Sequence, residues 1–285
     1  MRLVNRAISS LAYIAALSCL LINWPGFPAN AQETGLPQPY QLGLQDPVSP
    51  VGVRIGAFHD FLLWVIFAIS IFVFLLLVYV CIRYRASANP NPSRASHNTI
   101  IEILWTSVPV IILVVIAVPS FKHLYYLDRA VDPDMTITVT GNQWYWNYQY
   151  PDEEIAFDSY LLEGEDLAKV NGVRLLDVDN PLVVPTGKKI QVLVTSNDVF
   201  HSFFVPSAVV QIYAIAGRTN ETWMQFDKEG TFYGQCNQIC GVRHAYMPIV
   251  VKAVPEEAYK EWLEEAKERF AMNDDALVRV ASSSN

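Results

Sequence analysis

The sequence Gly-Gln-Cys-Asn-Gln-Ile-Cys-Gly-Val-Arg-His-Ala-Tyr-Met-Pro, residues 234–248, contains four side chains that bind soft metals. They are Cys236, Cys240, His244 and Met247. A second imidazole, His201, lies about thirty-five residues earlier in the chain, where we expect the end of a strand. Strand-forming residues flank the stretch at 230–235 and 247–254, so we expect the four side chains on a loop between two strands.

Thiolate and thioether sulfur together with imidazole favour copper over magnesium, calcium or manganese. A single-copper electron-transfer site uses two histidines, one cysteine and a weak axial methionine. Cys240, His244 and Met247 match the part of such a site that one loop supplies, and His201 is the remote ligand. Cys236 is then surplus. A second thiolate one helical turn earlier can bridge a second copper, which would share one electron between two ions.

Two other interpretations of these side chains remain open. Two cysteines and two histidines can hold structural zinc, but Met247 then has no role. A disulfide between Cys236 and Cys240 is possible in an oxidising compartment, but it leaves His201, His244 and Met247 unexplained.

The stretch belongs to a region of short strands that turn residues separate. Strands are predicted at 135–140, 143–150, 182–184, 190–195, 222–226, 230–235 and 247–254. Many short strands without intervening helices predict an all-β sandwich or barrel over residues 131–254. A helix is predicted at 255–272 and a disordered tail at 273–285.

The first 31 residues have the features of a secretory signal peptide. Arg2 and Arg6 precede an apolar stretch, and Ala29-Asn30-Ala31 is a small-residue cleavage site. The alternative is a retained membrane anchor, but the apolar stretch is short and a proline-containing segment interrupts it. We expect residues 32–57 to form an extended external segment.

Two further apolar runs, Phe61 to Ile82 and Ile103 to Phe121, predict a transmembrane helix hairpin within residues 58–124. Their connection contains Arg83, Arg85, Arg94 and His97 and no acidic residue before Glu102. An excess of basic residues marks cytoplasmic loops, so both ends of the mature chain are expected outside the cytoplasm. Neither run has a polar face, which disfavours buried helices of a soluble core.

Acidic residues are concentrated in the second half of the chain. The formal net charge of the chain is -8, but residues 131–285 contain 23 acidic and 12 basic side chains. Such a domain repels nucleic acid and attracts basic partners, and it excludes a nucleic-acid-binding function.

From about His59 to the end of the final helix, the sequence resembles subunit II of the haem–copper cytochrome c oxidases of bacteria. The resemblance rests on Cys236-x-x-x-Cys240-x-x-x-His244-x-x-Met247-Pro248, on His201-Ser202 before Pro206, and on Gln143-Trp144-Tyr145-Trp146. It implies a cupredoxin-like sandwich whose dinuclear copper centre is bridged by Cys236 and Cys240. His201 and His244 would each bind one copper. Met247 and the backbone carbonyl of Gln238 would be weak ligands.

The resemblance also implies a function and partners. Electrons from cytochrome c would enter through Trp144, although a sandwich core is the simpler role for Tyr145 and Trp146. They would then pass to haem in subunit I, where oxygen is reduced to water with proton pumping. The resemblance further implies that subunit III is a partner, that the chain lies in the bacterial inner membrane, and that its copper domain is on the periplasmic side. Acidic residues expected near Trp144 would steer the cytochrome: Asp152, Glu153, Glu154, Asp158, Asp177, Asp179 and Asp198.

Glu102 begins the second apolar run in a Glu-x-x-Trp-Thr context. The resemblance implies proton entry at this carboxylate. Its simpler role is local, because Thr99-x-x-Glu102 has the spacing of a helix capping box. The two roles are compatible.

Some positions depart from the family pattern. Gln238 replaces a glutamate that binds magnesium at the border with subunit I, and a neutral amide is a poorer magnesium ligand. Gln211, Tyr213 and Ala216 replace a lysine, an aspartate and a proline. Two rival functions are a copper-free quinol oxidase subunit, which the intact ligand set disfavours, and a membrane-tethered copper-delivery protein, which would need neither Trp144 nor Glu102.

Overall fold

The computed structural model describes residues 34–271. The predicted signal peptide at 1–31 and the predicted tail at 273–285 lie outside the described residues. After a short first strand, the described chain forms a helical hairpin of α1 (Pro50–Arg83) and α2 (Thr99–Asp128) and continues into a β domain.

Both hairpin helices are apolar on all sides. Their 34 and 30 residues correspond to lengths of about 51 and 45 Å, more than the hydrocarbon core of a bilayer requires. Large apolar side chains are exposed along the middle of both helices. Pro109 and Pro119 lie inside α2. The hairpin therefore has the length and surface of a transmembrane element, as predicted.

Helix α1 begins earlier than the sequence suggested. Ser49 caps it by accepting a hydrogen bond from the Gly52 N–H at 2.9 Å, and Pro50 occupies the first turn. The Ser49 hydroxyl also donates to the carbonyl of Ala208 in the β domain at 2.7 Å. The prediction that the extended segment continues to residue 57 was wrong, because Ser49 and Pro50 start the helix eight residues earlier.

The cap of α2 is centred on Asn98. Its side-chain oxygen accepts from the N–H groups of Ile100 and Ile101 at 3.1 and 3.2 Å, and its own N–H donates to Glu102 Oε1 at 3.3 Å. The capping box predicted for Thr99 was therefore displaced by one residue, since asparagine is the stronger capping residue.

The β domain contains eleven strands in three sheets. A four-stranded sheet has the order β1-β10-β11-β5, a five-stranded sheet has the order β4-β3-β2-β6-β9, and β7 and β8 form a hairpin. The strands are β1 (Thr34–Gly35), β2 (Met135–Asn142), β3 (Tyr145–Tyr150), β4 (Ile155–Ser159), β5 (Leu182–Pro185), β6 (Ile190–Ser196), β7 (His201–Val205), β8 (Val210–Ala214), β9 (Asn220–Met224), β10 (Gly230–Gln235) and β11 (Pro248–Val254).

The larger sheets enclose one hydrophobic core. Alternate residues of β6, namely Ile190, Val192 and Val194, are fully buried, as expected for a strand with one face inward. Two elements close the domain, a short helix α3 (Gly164–Lys169) and the C-terminal helix α4 (Glu256–Phe270). Helix α4 packs Tyr259, Leu263 and Ala266 against the core. The predicted class, an all-β cupredoxin-like sandwich after a helical hairpin, with a C-terminal helix, is confirmed.

Four strands, β1, β4, β7 and β8, and one helix, α3, escaped sequence prediction. Strand β7 is buried on both faces for most of its length, so its residues do not alternate. Strands β4 and β8 and helix α3 are short. The missed hairpin of β7 and β8 matters for function because β7 begins at His201, a predicted ligand. His201 therefore opens a strand, whereas the sequence had suggested that it follows one.

Candidate metal centre

Three chain segments meet at one end of the sandwich. They are the turn between β2 and β3, the first residue of β7, and the loop of residues 236–247 that joins β10 to β11. The base of this loop is closed by a hydrogen bond from the Cys236 N–H to the Met247 carbonyl at 3.4 Å. Gln235 is paired with Pro248 in the strand register, so the loop begins where the ladder ends.

The two thiols of the loop face each other without forming a bond. Their sulfur atoms are 3.9 Å apart and both cysteines are free, whereas a disulfide requires about 2.05 Å. The disulfide interpretation is therefore not what the structure shows.

The remaining donors are divided between the two sulfurs. The Cys236 sulfur lies 4.0 Å from His201 Nδ1 and 3.3 Å from the Gln238 carbonyl oxygen. The Cys240 sulfur lies 3.4 Å from His244 Nδ1 and 3.6 Å from the Met247 sulfur. Each thiol thus has one imidazole and one weaker donor beside it.

The centre is sheltered from water. His201, Cys236, Cys240 and Met247 are buried, and His244 is half-buried. The ligand atoms of His201, Cys236 and Cys240 all lie within 4.8 Å of one another. Sulfur and imidazole donors at this spacing, in a water-poor environment, fit a soft transition metal.

Burial and hydrogen bonding act against each other at the thiols. Burial by itself raises the pKa of Cys236, but the hydrogen bond with His201, the backbone hydrogen bonds of Ser202 and Gln238 and the charge of His201 together bring the pKa below its usual range. Burial raises the pKa of Cys240 to about 12, and the charge of Cys236 adds to this effect. The charge of one ionised thiol therefore opposes ionisation of the other, and a bound cation would favour loss of the second proton.

Asp198 supports the centre from outside the donor set. Its Oδ1 lies 2.8 Å from His201 Nε2, and its Oδ2 accepts from the Gln143 N–H at 2.7 Å. A carboxylate on the second imidazole nitrogen orients a metal-binding histidine. Sequence reasoning assigned Asp198 only a steering charge. Its position three residues before His201 was the signal that could have revealed this contact.

The turn that contains Trp144 lies against the ligand loop. Gln143 Nε2 and Trp144 Nε1 both donate to the Cys240 carbonyl, at 2.7 and 3.3 Å. Gly241 has φ = +124°, and a Cβ there would lie 2.9 Å from the Trp144 ring. Glycine is therefore required for this close approach.

The aromatic residues of this motif differ in burial. Trp146 is fully buried in the core, whereas Trp144 and Tyr145 are half-buried at the surface. The core interpretation therefore describes Trp146. Trp144 keeps a surface-accessible edge beside a candidate ligand, and its role in electron entry stays a prediction.

The acidic residues expected near Trp144 are split between the two ends of the domain. Asp158, Asp177, Asp179 and Asp198 lie at the metal end. Asp158 bonds to Asn147 at 2.8 Å, and Asp179 bonds to Tyr160, whose ring stacks on Tyr145. Asp152, Glu153 and Glu154 follow the far end of β3, about 20 Å along the strand. The prediction that those three lie near Trp144 was wrong, because each residue of an extended strand carries the chain about 3.3 Å further from the start of the strand.

Glu102 is remote from the metal end. It lies in the first turn of α2, at the end of the hairpin opposite the β domain, and is half-buried. The structure does not bring it to the other candidate residues, so proton entry at Glu102 stays a prediction.

The loop does not fit the magnesium that the resemblance implied. Residues 236–247 contain no carboxylate, and the Gln238 side chain is a neutral amide. Magnesium is normally bound through carboxylates and water. The loop by itself therefore offers magnesium no suitable side-chain ligand.

Two parts of the chain match domains of the same protein family. Residues 135–254 match the family described as "Cytochrome C oxidase subunit II, periplasmic domain". Residues 37–123 match "Cytochrome C oxidase subunit II, transmembrane domain".

Individual relatives carry the same description. The probable cytochrome c oxidase subunit 2 of Rickettsia bellii is 47% identical over 240 residues, covering 84% of this chain and 88% of that protein. Cytochrome c oxidase subunit 2 of Phytophthora megasperma is 45% identical over 232 residues, covering 79% and 87%. The crystal structure of the periplasmic domain of subunit II of the Bradyrhizobium japonicum oxidase has 46% identity, covers 50% of this chain and 99% of that chain, and has a TM-score of 0.46. With both matched domains and the two relatives from Rickettsia bellii and Phytophthora megasperma, the chain belongs to the cytochrome c oxidase subunit II family and is a membrane-anchored component of an oxidoreductase complex.

Proposed function

We propose that this chain binds two copper ions between Cys236 and Cys240, accepts electrons from cytochrome c there, and passes them to haem in subunit I. The observation that carries the proposal is the division of donors around two thiols 3.9 Å apart. His201 and Gln238 would serve one ion, and His244 and Met247 the other. Copper held by these residues would supply one-electron redox chemistry without large ligand movement.

The protein's own residues would make the site rigid. Asp198 holds the His201 ring, and the closed loop base holds Cys236 beside Met247. Burial of the donors excludes water, which limits solvent reorganisation when the charge of the site changes. These are the properties that an electron relay needs, whereas a copper-delivery protein must release its metal.

The surface around Trp144 would be the docking site for cytochrome c. Trp144 donates to the Cys240 carbonyl and is half-buried, so a partner that covers it is in contact with a ligand residue. Asp158, Asp179 and Asp198 at this end would attract a lysine-rich protein over a distance comparable to the Debye length.

The membrane arrangement follows from the hairpin. The basic connection between α1 and α2 would lie in the cytoplasm and the β domain in the periplasm of a bacterial cell. Glu102 would then stand at the cytoplasmic membrane edge, where a carboxylate can take up protons for pumping. Subunit I and subunit III would pack against the exposed apolar faces of the hairpin.

Electron transfer to the chain tests this function directly. The full chain, purified in detergent and loaded with copper, is mixed with ferrocytochrome c in a stopped-flow spectrophotometer. We expect rapid oxidation of the cytochrome, slowed by salt, and none with a Cys236→Ser, Cys240→Ser double variant. Absence of cytochrome oxidation by the loaded wild-type chain contradicts the relay.

Assembly provides the second test, because a copper-delivery protein and an oxidase subunit differ in their stable partners. We expect the tagged chain to co-purify stoichiometrically with a haem-bearing subunit from solubilised membranes of its source. A chain that purifies alone, loaded with copper, contradicts the oxidase role and favours delivery.

A further inference from the structure

Trp146 is a fully buried tryptophan whose indole N–H has a specific partner. The residue lies on β3 with its side chain in the core, and Nε1 donates to the Met247 carbonyl at 3.2 Å. A buried indole N–H needs an acceptor. Here the acceptor is the backbone of a predicted ligand, 101 residues away in sequence.

The Met247 carbonyl stands where the ligand loop rejoins the sheet. Its other hydrogen bond, from the Cys236 N–H, is 3.4 Å long. Residue 248 is proline and has no N–H to donate to the neighbouring strand. The indole therefore supplies the shorter of the two hydrogen bonds at the end of the loop.

The same indole contacts the ligand that comes from β7. The Trp146 and His201 rings are 6.0 Å apart at an interplanar angle of 64°, and the Trp146 and Phe203 rings are 5.5 Å apart at 89°. One side chain thus contacts both segments that supply donors, namely the loop of residues 236–247 and the start of β7.

We propose that Trp146 is a positioning residue that sets the spacing between His201 and the Met247 end of the ligand loop. Its ring fixes the imidazole from the core side, and its N–H fixes the backbone of Met247. The proposal deepens the proposed copper function and rests on that function for its spectroscopic test. A second test requires no metal.

The same sheet provides two matched controls. Tyr148 lies two residues further along β3, is fully buried, and has a hydroxyl without a hydrogen-bond partner among the described residues. Tyr148→Phe removes this hydroxyl and leaves the ligand loop untouched. Phe157 on β4 packs against Trp262 and Phe270, toward α4. Phe157→Leu creates a cavity away from the metal end and controls for lost packing.

The metal-free test measures how often the loop opens. Cys236 and Cys240 are 5% and 4% exposed, so iodoacetamide reaches them only when the loop moves. For Trp146→Phe in the full metal-free chain, we expect alkylation of both thiols about tenfold faster than in wild type, since a buried carbonyl loses its stronger donor. Tyr148→Phe and Phe157→Leu should stay within about twofold of wild type if the opening is local.

Peptide mapping by mass spectrometry separates these thiols from Cys19 and Cys81, and Tm is recorded for each variant. Rates for Trp146→Phe equal to those for Tyr148→Phe overturn the proposal. Rates that follow Tm alone, so that Phe157→Leu is as reactive as Trp146→Phe at equal Tm, also overturn it.

The spectroscopic test uses the copper-loaded chain. We expect Trp146→Phe to keep the wild-type copper content but to show altered copper hyperfine splittings, while Tyr148→Phe and Phe157→Leu keep the wild-type spectrum. An unchanged spectrum in Trp146→Phe contradicts the proposal. If the wild-type chain itself shows no copper-pair signal, the proposed function fails, and the alkylation contrast still decides the role of Trp146.

Discussion

The two ends of the β-sandwich both collect polar side chains, but in different physical settings. At the metal end, His201, Cys236, Cys240 and Met247 are buried and face one another. At the other end, near the start of β2 and of α4, the polar groups are carboxylates and lysines that are exposed or half-buried. They include Asp134, Asp152, Glu153, Glu256, Lys188 and Lys267.

The difference shows where function resides. Exposed ion pairs such as Lys188 with Glu256, 3.8 Å apart, contribute at most about 1 kcal/mol and need no functional explanation. At the metal end, the buried thiols of Cys236 and Cys240 face two imidazoles and a thioether, and no disulfide joins them. Four converging soft donors at the metal end therefore indicate a metal, whereas the acidic residues at the other end indicate ordinary solvation.

The largest effect should come from removing the surplus thiol. We expect Cys236→Ser to lower the copper content from two ions to one, because Cys240, His244, Met247 and His201 still form a single-copper set. Metal analysis and electron paramagnetic resonance of the purified full chain measure this. Retention of two coppers in Cys236→Ser would mean that this thiol is not a bridge.

The second prediction distinguishes a role of Trp144 in electron entry from a role in copper binding. Trp144→Phe removes an indole that stands between solvent and the Cys240 carbonyl. We expect unchanged copper content and a markedly slower reduction by ferrocytochrome c in stopped-flow measurements. Tyr145→Phe, a change at the neighbouring surface aromatic residue, is the control and should keep the wild-type rate. An unchanged rate in Trp144→Phe would mean that electrons do not enter through this residue.

A smaller effect compares one charge at each end of the sandwich. We expect Asp158→Asn to slow association with ferrocytochrome c about threefold at low ionic strength, since it weakens the field that steers a basic partner. The effect should disappear at high salt. Asp152→Asn removes the same charge at the opposite end and should leave the rate unchanged. Equal effects of the two variants would mean that docking is not localised at the metal end.

The smallest effect is expected for an ion pair at the end away from the metal. Lys188→Met removes the contact with Glu256, and both side chains are about 40% exposed. We expect a change in the free energy of unfolding below about 1 kcal/mol, measured by urea denaturation of the full chain in detergent. Copper content and reduction rate should be those of wild type. A loss of copper in this variant would show that the two ends are coupled.

Much of the fold and of the donor set was predictable because the signals are local. Apolar runs about as long as a bilayer core is thick predicted the hairpin, and alternating residues predicted strands such as β6. Five of the six candidate donors lie in one short loop, so sequence spacing alone placed them together.

The remaining features depend on tertiary contacts that a linear pattern does not encode. Strand β7 is buried on both faces and shows no alternation, so His201 was placed on the wrong side of a strand. Trp144 and Trp146 are two residues apart and chemically identical, and only the turn between β2 and β3 separates the surface residue from the core residue. The contacts of Asp198 with His201 and Gln143 required the loops to be assembled.

The central claim is that two coppers share the two thiols, and one measurement tests it most directly. Copper-to-protein ratio and electron paramagnetic resonance are recorded on the copper-loaded full chain in its oxidised form. We expect two coppers per chain and a hyperfine pattern from one unpaired electron shared equally by both nuclei. A single-copper pattern, or bound zinc without a signal, would contradict it.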